Sequence, residues 1–376
     1  MQRGGILIVS ASTGTGHARA AEALRDALAT SAPDTRVESI DLLDLAPGWV
    51  RTTYGGGYEL MATRAPWLWQ HVYHRTDGNG ADHAAWSPLA RRFLFGRFRE
   101  LLRSAPWQLC LCTHFLPCQL AAGQPGLPPF ALAITDFTLH RFWVQRAVRQ
   151  YFVATETLAS ELRERVRRAA VEATGIPIAS AFAAAPSRPD AKERLGLDPR
   201  KPVALVMGGG LGGGITEMVG GCVAGAPEEV QVVAVCGRNS AAPAQLRALD
   251  APEGRLRIFG YVTGIQDLIA AADLVVTKPG GLTCSEALAL GRPLLLTRPI
   301  PGQETGNTRV LVSAGAAVAA PSGRDMAEAM TRLFAGDGLL SGLAAAARRI
   351  GRPDAADRVA ELIRERIDIE DLSLAS

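Results

Sequence analysis

The stretch LVVTKPGGLTCSEALALGRPLLLTRPIPGQETGN, Leu274 to Asn307, decides how the chain folds. A run of β-formers ends at Lys278-Pro279 and a Gly280-Gly281 turn, a helical LTCSEALAL follows, and PLLLTRPI is a second apolar run before the polar loop PIPGQETGN. Apolar runs separated by helix-length segments mark buried parallel strands joined by crossover helices. A glycine turn between strand and helix presents backbone N–H groups and the positive end of a helix dipole at the carboxyl edge of the sheet, which suits an anion.

The arrangement recurs in SASTGTGHARAAEAL, from Ser10, and in VMGGGLGGGITEMV, from Val206. Working outward, GILIVSAS, VESIDLLDL, LCLCTHF, FALAITDF and QYFVATE predict one parallel sheet; VALVMGGG, VQVVAVCG, LRIFGYV, LVVTKPGG and PLLLTRPI predict another. The class is α/β, and 376 residues suffice for two domains. The expected boundaries are residues 1–180, a proline-rich and charged linker at 181–202, a second domain at 203–350, and a tail at 351–376 whose Asp354–Arg366 pattern is an amphipathic helix. Residues 44–80 break the pattern with aromatics and glycines, as a functional insertion does.

Composition removes several function classes. A net charge of +3 is too small to point to a nucleic-acid partner. No apolar run reaches the roughly 18 residues of a membrane span, and the chain enters its first strand within a few residues, so a cytoplasmic protein is expected. Six cysteines without CxxC spacing read as buried small hydrophobes. All six histidines and all six tryptophans lie between His17 and Trp143, so the two halves have different tasks.

The turn at Gly14, Gly16 and Arg19 has arginine where a dinucleotide fingerprint needs its third glycine, and no GK[ST] of a P-loop follows. One such turn serves equally well as a tight connection; the combination carries the inference. Gln303, Glu304 and Asn307 can hydrogen-bond a polyol, and Glu286 is placed for two ribose hydroxyls or simply as a carboxylate favoured early in a helix. Arg298 is placed for a sugar carboxylate or on the surface.

Lys278–Asn307, with ILIVSASTGTGH, ITDFTLHRFW, ATGIPI, VMGGG and FGYV, resembles the monogalactosyldiacylglycerol synthase and processive diacylglycerol glucosyltransferase family, within glycosyltransferase family 28. The resemblance runs in unbroken order from about Ile6 to about Val312. It implies a GT-B fold, two Rossmann-like parallel-sheet domains facing a cleft, with acceptor on the N-terminal half, UDP-sugar mainly on the C-terminal half, and the last helix crossing back to the first domain. By the same resemblance Gly208, Gly209 and Gly210 approach the pyrophosphate, and Phe259, Gly260, Tyr261 and Val262 flank the uracil. Gly280, Gly281, Leu282 and Thr283 give N–H groups to the phosphates, Glu286 holds the ribose, and Gln303, Glu304 and Asn307 face the sugar. His17, after Gly16, matches the histidine of the family's GGGH turn and is the expected base. Thr15 replaces that turn's middle glycine, Thr113-His114-Phe115 stands where the family commonly has THP, and 44–80 departs most.

The implied reaction is inverting transfer of a hexose from a UDP-sugar to diacylglycerol. Asp136 is a second base candidate, the electrostatic partner of His17, or a turn residue; His17 could instead cap its helix. His140 and Trp143 match the family as acceptor-side residues or as packing. No DxD stands at a strand end, so no metal or other cofactor is expected. Residues 91–103 interleave Arg91, Arg92, Arg97, Arg99 and Arg103 with Phe93, Phe95 and Phe98, a helix suited to an anionic membrane surface or to ordinary packing. Trp67 and Trp69 in the insertion favour membrane contact, hence peripheral association with the inner face of the membrane. The alternatives are another lipid or small-molecule acceptor, a UDP-sugar 2-epimerase, and a UDP-sugar sensor, which would need no His17.

Overall fold

The computed structural model describes residues 4–12, 14–48, 88–300 and 302–375, with 88–95 and 368–375 described as backbone only. Trp67, Trp69 and the 44–80 insertion beyond Gly48 lie outside the described residues. The chain divides into two compact units. One holds the residues to Ser180, Ile300–Gln303 and Asp354 onward; the other holds Ala181–Pro299 and Glu304–Pro353.

In the first unit β1 (Gly5–Ser10), α1 (Thr15–Ser31) and β2 (Val37–Asp41) precede the long helix α2 (Pro88–Arg103). Then come β3 (Trp107–Cys112), α3 (Phe115–Ala121), β4 (Phe130–Ala133), β5 (Val148–Val153), α4 (Glu156–Arg165) and β6 (Ala170–Ala173). The strands form one parallel sheet in the order β2-β1-β3-β4-β5-β6.

The second unit contains α5 (Arg188–Arg194), β7 (Val203–Met207), α6 (Ile215–Gly225), β8 (Gln231–Val235), α7 (Ala242–Arg247), β9 (Leu256–Phe259) and α8 (Ile265–Ala271). It continues with β10 (Leu274–Thr277), α9 (Gly281–Ala289), β11 (Leu294–Leu296), α10 (Gln303–Ser313), β12 (Ala317–Ala319), α11 (Gly323–Leu333) and α12 (Leu339–Ile350). Its parallel sheet runs β12-β11-β10-β7-β8-β9.

Helix α13 (Ala355–Ala375) belongs to the first unit and packs along α1. Ala356, Val359, Ala360 and Ile363 recur at helical spacing and join Ile6, Ile8, Leu24, Leu28, Leu111 and Phe152 in one buried cluster. The intervening Leu7 and Val9 are also fully buried, so β1 is covered on both faces, as a parallel strand requires.

Two details depart from the sequence expectation. Residues 181–202 are not a bare linker, because α5 is stapled into the second unit: Arg188 and Lys192 reach the two carboxylate oxygens of Asp273 at 2.6 and 2.9 Å. The same carboxylate accepts the Val203 N–H at 2.9 Å, and Lys192 also donates to the Lys201 carbonyl at 2.8 Å. The loop PIPGQETGN ends at Gly302, and from Gln303 it is the first turn of α10. The six cysteines are all buried and unpaired. Among the described residues no helix is long and apolar enough to cross a membrane.

Truncating Ile363 to alanine opens a void between α13 and the first sheet. The expected cost is about 3 kcal/mol, read as an earlier denaturant midpoint for the first unit with the second unit's transition unmoved.

Candidate functional site

Each sheet has one place where the connections leave two adjacent strands in opposite directions, and ligands of open α/β sheets bind beyond the carboxyl ends there. In the first sheet that place lies between β1 and β3, in the second between β7 and β10. The turns after these four strands carry the motifs: Gly14 to His17, Thr113 to Phe115, Gly208 to Gly214, and Lys278 to Gly281.

In the first unit, Gly14 is the N-cap of α1 and makes no side-chain cap, and His17 sits in the first turn. The imidazole does not cap its own helix. Its Nδ1 lies 2.8 Å from the main-chain carbonyl of Thr113, while the Thr113 hydroxyl donates to the His17 carbonyl at 2.9 Å. A carbonyl only accepts, so Nδ1 carries the proton and Nε2 keeps its lone pair. The Thr135 hydroxyl lies 3.0 Å from the same Nδ1. Burial lowers the His17 pKa, opposed by the charge of Asp136, the bond to Thr113 and the charge of Asp41. Of the two carboxylates, Asp136 favours the charged ring more than Asp41 does. Asp41, at the end of β2, also accepts the Leu43 N–H at 2.8 Å.

Aromatic rings surround this imidazole. His114 meets it edge-on at 4.8 Å between centroids and Trp143 stands at 6.2 Å. His114 caps α3 by accepting the Leu116 N–H on Nδ1 at 3.1 Å, and burial, with His17 beside it, pushes its pKa well below the usual value. His140 is buried and caps the turn Arg141–Trp143 by accepting the Phe142 N–H at 3.2 Å. Trp143 is buried, and Gly16 is half-buried in the first turn of α1. Of the expected membrane residues, Arg91, Arg92, Phe93 and Phe95 lie in the part of α2 described as backbone. Further along, Phe98 and Leu102 are core while Arg97, Arg99 and Arg103 are exposed.

In the second unit the Gly208–Gly214 loop is coiled against the Cys236–Arg238 turn. The Gly210 carbonyl accepts the Arg238 N–H at 3.0 Å, and Gly212 has φ +64 with its hypothetical Cβ only 1.9 Å from the Cys236 carbonyl oxygen. Only glycine fits there. Gly209 also has positive φ, and Gly208 leaves no room for a side chain against Gly212. Gly214 caps α6 in the left-handed conformation, with Arg298 lying over it. Arg298 itself has φ 49 and forms an ion pair with Glu217. Its guanidinium therefore already has a carboxylate partner within the chain.

Beyond β9, the Phe259 carbonyl accepts the Cys236 N–H at 2.8 Å, Gly260 is exposed, Tyr261 is 62% exposed and Val262 is half-buried. Arg238 lies over the Tyr261 ring at 5.4 Å. After β10, Gly280 caps α9 without a side-chain bond, and the first helical bond is Cys284 N–H to the Gly280 carbonyl at 3.1 Å. The N–H groups of Gly281, Leu282 and Thr283 precede it, as an anion at a helix start requires. Gln303 and Glu304 are half-buried at the start of α10. Glu286 is 2% exposed within α9. Asn307 is fully buried and donates from Nδ2 to the Pro279 carbonyl at 3.1 Å, which ties α10 to the glycine turn.

Sequence reasoning passed over Thr135 and Arg238 and did not weigh Thr113 for itself. Thr113 and Thr135 each follow an apolar strand run, LCLC and FALAI, where a polar residue at the carboxyl edge was the available signal.

Two Rossmann-like units with glycine turns at their switch points define a GT-B protein. Solved structures share the fold: Acinetobacter baumannii MurG has a TM-score of 0.63 at 18% identity, over 96% of this chain and 99% of that one. Phytolacca americana UGT2 has a TM-score of 0.62 at 12% identity, over 97% and 100%. A Neisseria meningitidis UDP-GlcNAc 2-epimerase has a TM-score of 0.62 at 14% identity, over 96% and 99%, so the fold alone does not separate transferase from epimerase. The monogalactosyldiacylglycerol synthase model matches residues 17–178 and the glycosyltransferase family 28 C-terminal domain matches residues 203–322; the chain belongs to this glycosyltransferase family. The processive diacylglycerol beta-glucosyltransferase of Bacillus subtilis (strain 168) is 37% identical over 218 residues, 57% of this chain and 56% of that protein. That of Bacillus thuringiensis (strain Al Hakam) is 32% identical over 252 residues, 66% and 64%. The chain thus spans somewhat over half the length of the curated relatives it matches.

His17, half-buried, and His114, buried, make the first unit acid-sensitive. Both pKa values lie below the ordinary 6.5, so the unfolded chain binds more protons just under that pH, and stability present above it is lost as pH falls towards the folded values. Thermal melts between about pH 7 and pH 5 should show this loss. The loss should shrink in His114→Asn, which keeps a capping side chain and removes one titrating ring.

Proposed function

We propose that the protein is an inverting glycosyltransferase that moves a hexosyl group from a UDP-sugar to the hydroxyl of diacylglycerol, making a β-glycosyldiacylglycerol. The observation that carries this reading is the His17 imidazole, with Nδ1 bound to a carbonyl and Nε2 left as a base at the switch point of the first sheet. A sensor or binding module has no need of it. The family and the names of its relatives supply the substrate class.

In the proposed step His17 Nε2 takes the acceptor hydroxyl proton as that oxygen attacks the anomeric carbon, and the bond to the UDP oxygen breaks. Charge then builds on the departing diphosphate. The N–H groups opening α9 and the glycine turn after β7 would stabilise it, with Lys278 close to Gly213. Phe259 to Val262 would flank the base, Glu286 the ribose, and Gln303 and Glu304 the hexose. Asn307 would act by holding Pro279. Because backbone dipoles and fixed cations stabilise the leaving group in this scheme, no divalent ion is required. We also propose peripheral binding to an anionic membrane surface, which the exposed Arg97, Arg99 and Arg103 of α2 support.

The test is incubation with diacylglycerol liposomes and, separately, UDP-glucose, UDP-galactose and UDP-glucuronate, with glycolipid read by mass spectrometry. One donor should give product, EDTA should leave the rate unchanged, and His17→Ala should lower it by roughly 10²–10⁴-fold. UDP-sugar binding without glycolipid would refute the acceptor assignment. Flotation with anionic and neutral vesicles tests the membrane claim, and equal recovery from both would refute it.

A further inference from the structure

The base proposed above depends on how its ring is held, and three strand ends converge on one of its nitrogens. His17 follows β1, Thr113 follows β3, and Thr135 lies two residues beyond β4. We propose that the Thr135 hydroxyl is a positioning residue for His17, sharing the Nδ1 proton with the Thr113 carbonyl so that Nε2 remains the proton-accepting nitrogen. This rests on the reading of His17 as the base.

The geometry leaves little choice of roles. Thr113 O, at 2.8 Å, requires Nδ1–H, so Thr135 Oγ1, at 3.0 Å from the same nitrogen, faces a proton and acts as a second acceptor. The opposite tautomer would set the Nδ1 lone pair against the Thr113 carbonyl oxygen. Thr113 is fully buried and Thr135 is 5% exposed, so water competes poorly for either bond. Thr113 grips twice, because its own hydroxyl donates to the His17 main-chain carbonyl at 2.9 Å. That second grip fixes the backbone of the α1 first turn and leaves ring rotation about the side-chain bonds to be fixed by the two acceptors.

When Nε2 takes a proton the ring becomes a cation, and the shared Nδ1–H bond strengthens. Burial opposes that charge. Asp136, on the segment that carries Thr135, and Asp41, at the end of β2, favour it. Thr135 acts on the same balance through a hydrogen bond and carries no charge of its own. Its removal therefore weakens the base without removing a counter-ion.

The experiment compares Thr135→Val, close to threonine in shape but without the hydroxyl, with Thr135→Ser, which keeps it. Wild-type and variant proteins carry ¹⁵N-labelled histidine, and the His17 ring shifts are followed by NMR through a pH titration. In the valine variant the His17 midpoint should fall by about half a pH unit or more, and serine should restore it. Where glycolipid synthesis is measured, kcat should drop about tenfold in valine, the acid limb of the rate should move down with the midpoint, and donor KM should stay put.

A His17 midpoint that is unmoved in valine, or moved equally in serine, overturns the proposal. A general loosening of the fold would lower the melting temperature without moving the midpoint in the serine-reversible way, and would likewise count against it. If valine does not fold, Thr135→Ala beside Thr135→Ser gives the same comparison. The titration needs no substrate, so a moved midpoint in a protein that makes no glycolipid would refute the diacylglycerol acceptor and leave the clamp standing.

Discussion

A parallel sheet whose chain turns back from its first strand must leave two neighbouring strand ends with connections running apart. Both sheets of this molecule meet that constraint, one between β1 and β3 and the other between β7 and β10. Between β1 and β3 the gap is narrow enough for a histidine of one turn to hydrogen-bond the main chain of the other at 2.8 Å. Between β7 and β10 the two turns are glycine loops, each opening a helix. The topology thus supplies one edge that carries a histidine held by the neighbouring turn and another that carries backbone donors, before any side chain beyond His17 is specified.

The two edges are stiffened by different means. The first relies on side chains: the doubled Thr113 grip, the Thr135 hydroxyl and the aromatic rings of His114, Phe115, Phe142 and Trp143, with Phe115 and Phe142 stacked at 4.9 Å. The second relies on the absence of side chains, since Gly208 and Gly212 pack backbone on backbone and the Gly210 carbonyl is taken by Arg238 N–H. Asn307 then braces the other glycine turn from a neighbouring helix. Side-chain bonds fix the orientation and the protonated nitrogen of a ring, whereas packed glycines leave backbone N–H groups that no side chain covers.

Most of the strands were legible because they are continuous runs of Val, Ile, Leu and Phe between glycine turns. AVEA and AVA, the edge strands β6 and β12, were not: they are short, alanine-rich and paired on one side only, so neither propensity nor burial marks them. The start of α10 was hidden because Gln303 to Asn307 has the polarity of a loop, and the bond from Asn307 to Pro279 joins residues 28 positions apart. The motif residues of the site were legible as residue types, since strand-glycine-helix has a local signature. Their supports were less so. Thr135 lies 118 positions from His17, and no local pattern announces a partnership made only by strand order.

The last helix has a consequence for the order of synthesis. Val359 and Ile363 complete the cluster built on Ile6 and Ile8, and they emerge from the ribosome only after the whole of the second unit. The unit that begins first is therefore finished last. While the second sheet can close on itself, the apolar face of α1 that α13 will cover remains open to solvent for most of translation. A nascent chain at that stage is the form most exposed to chaperones and to self-association.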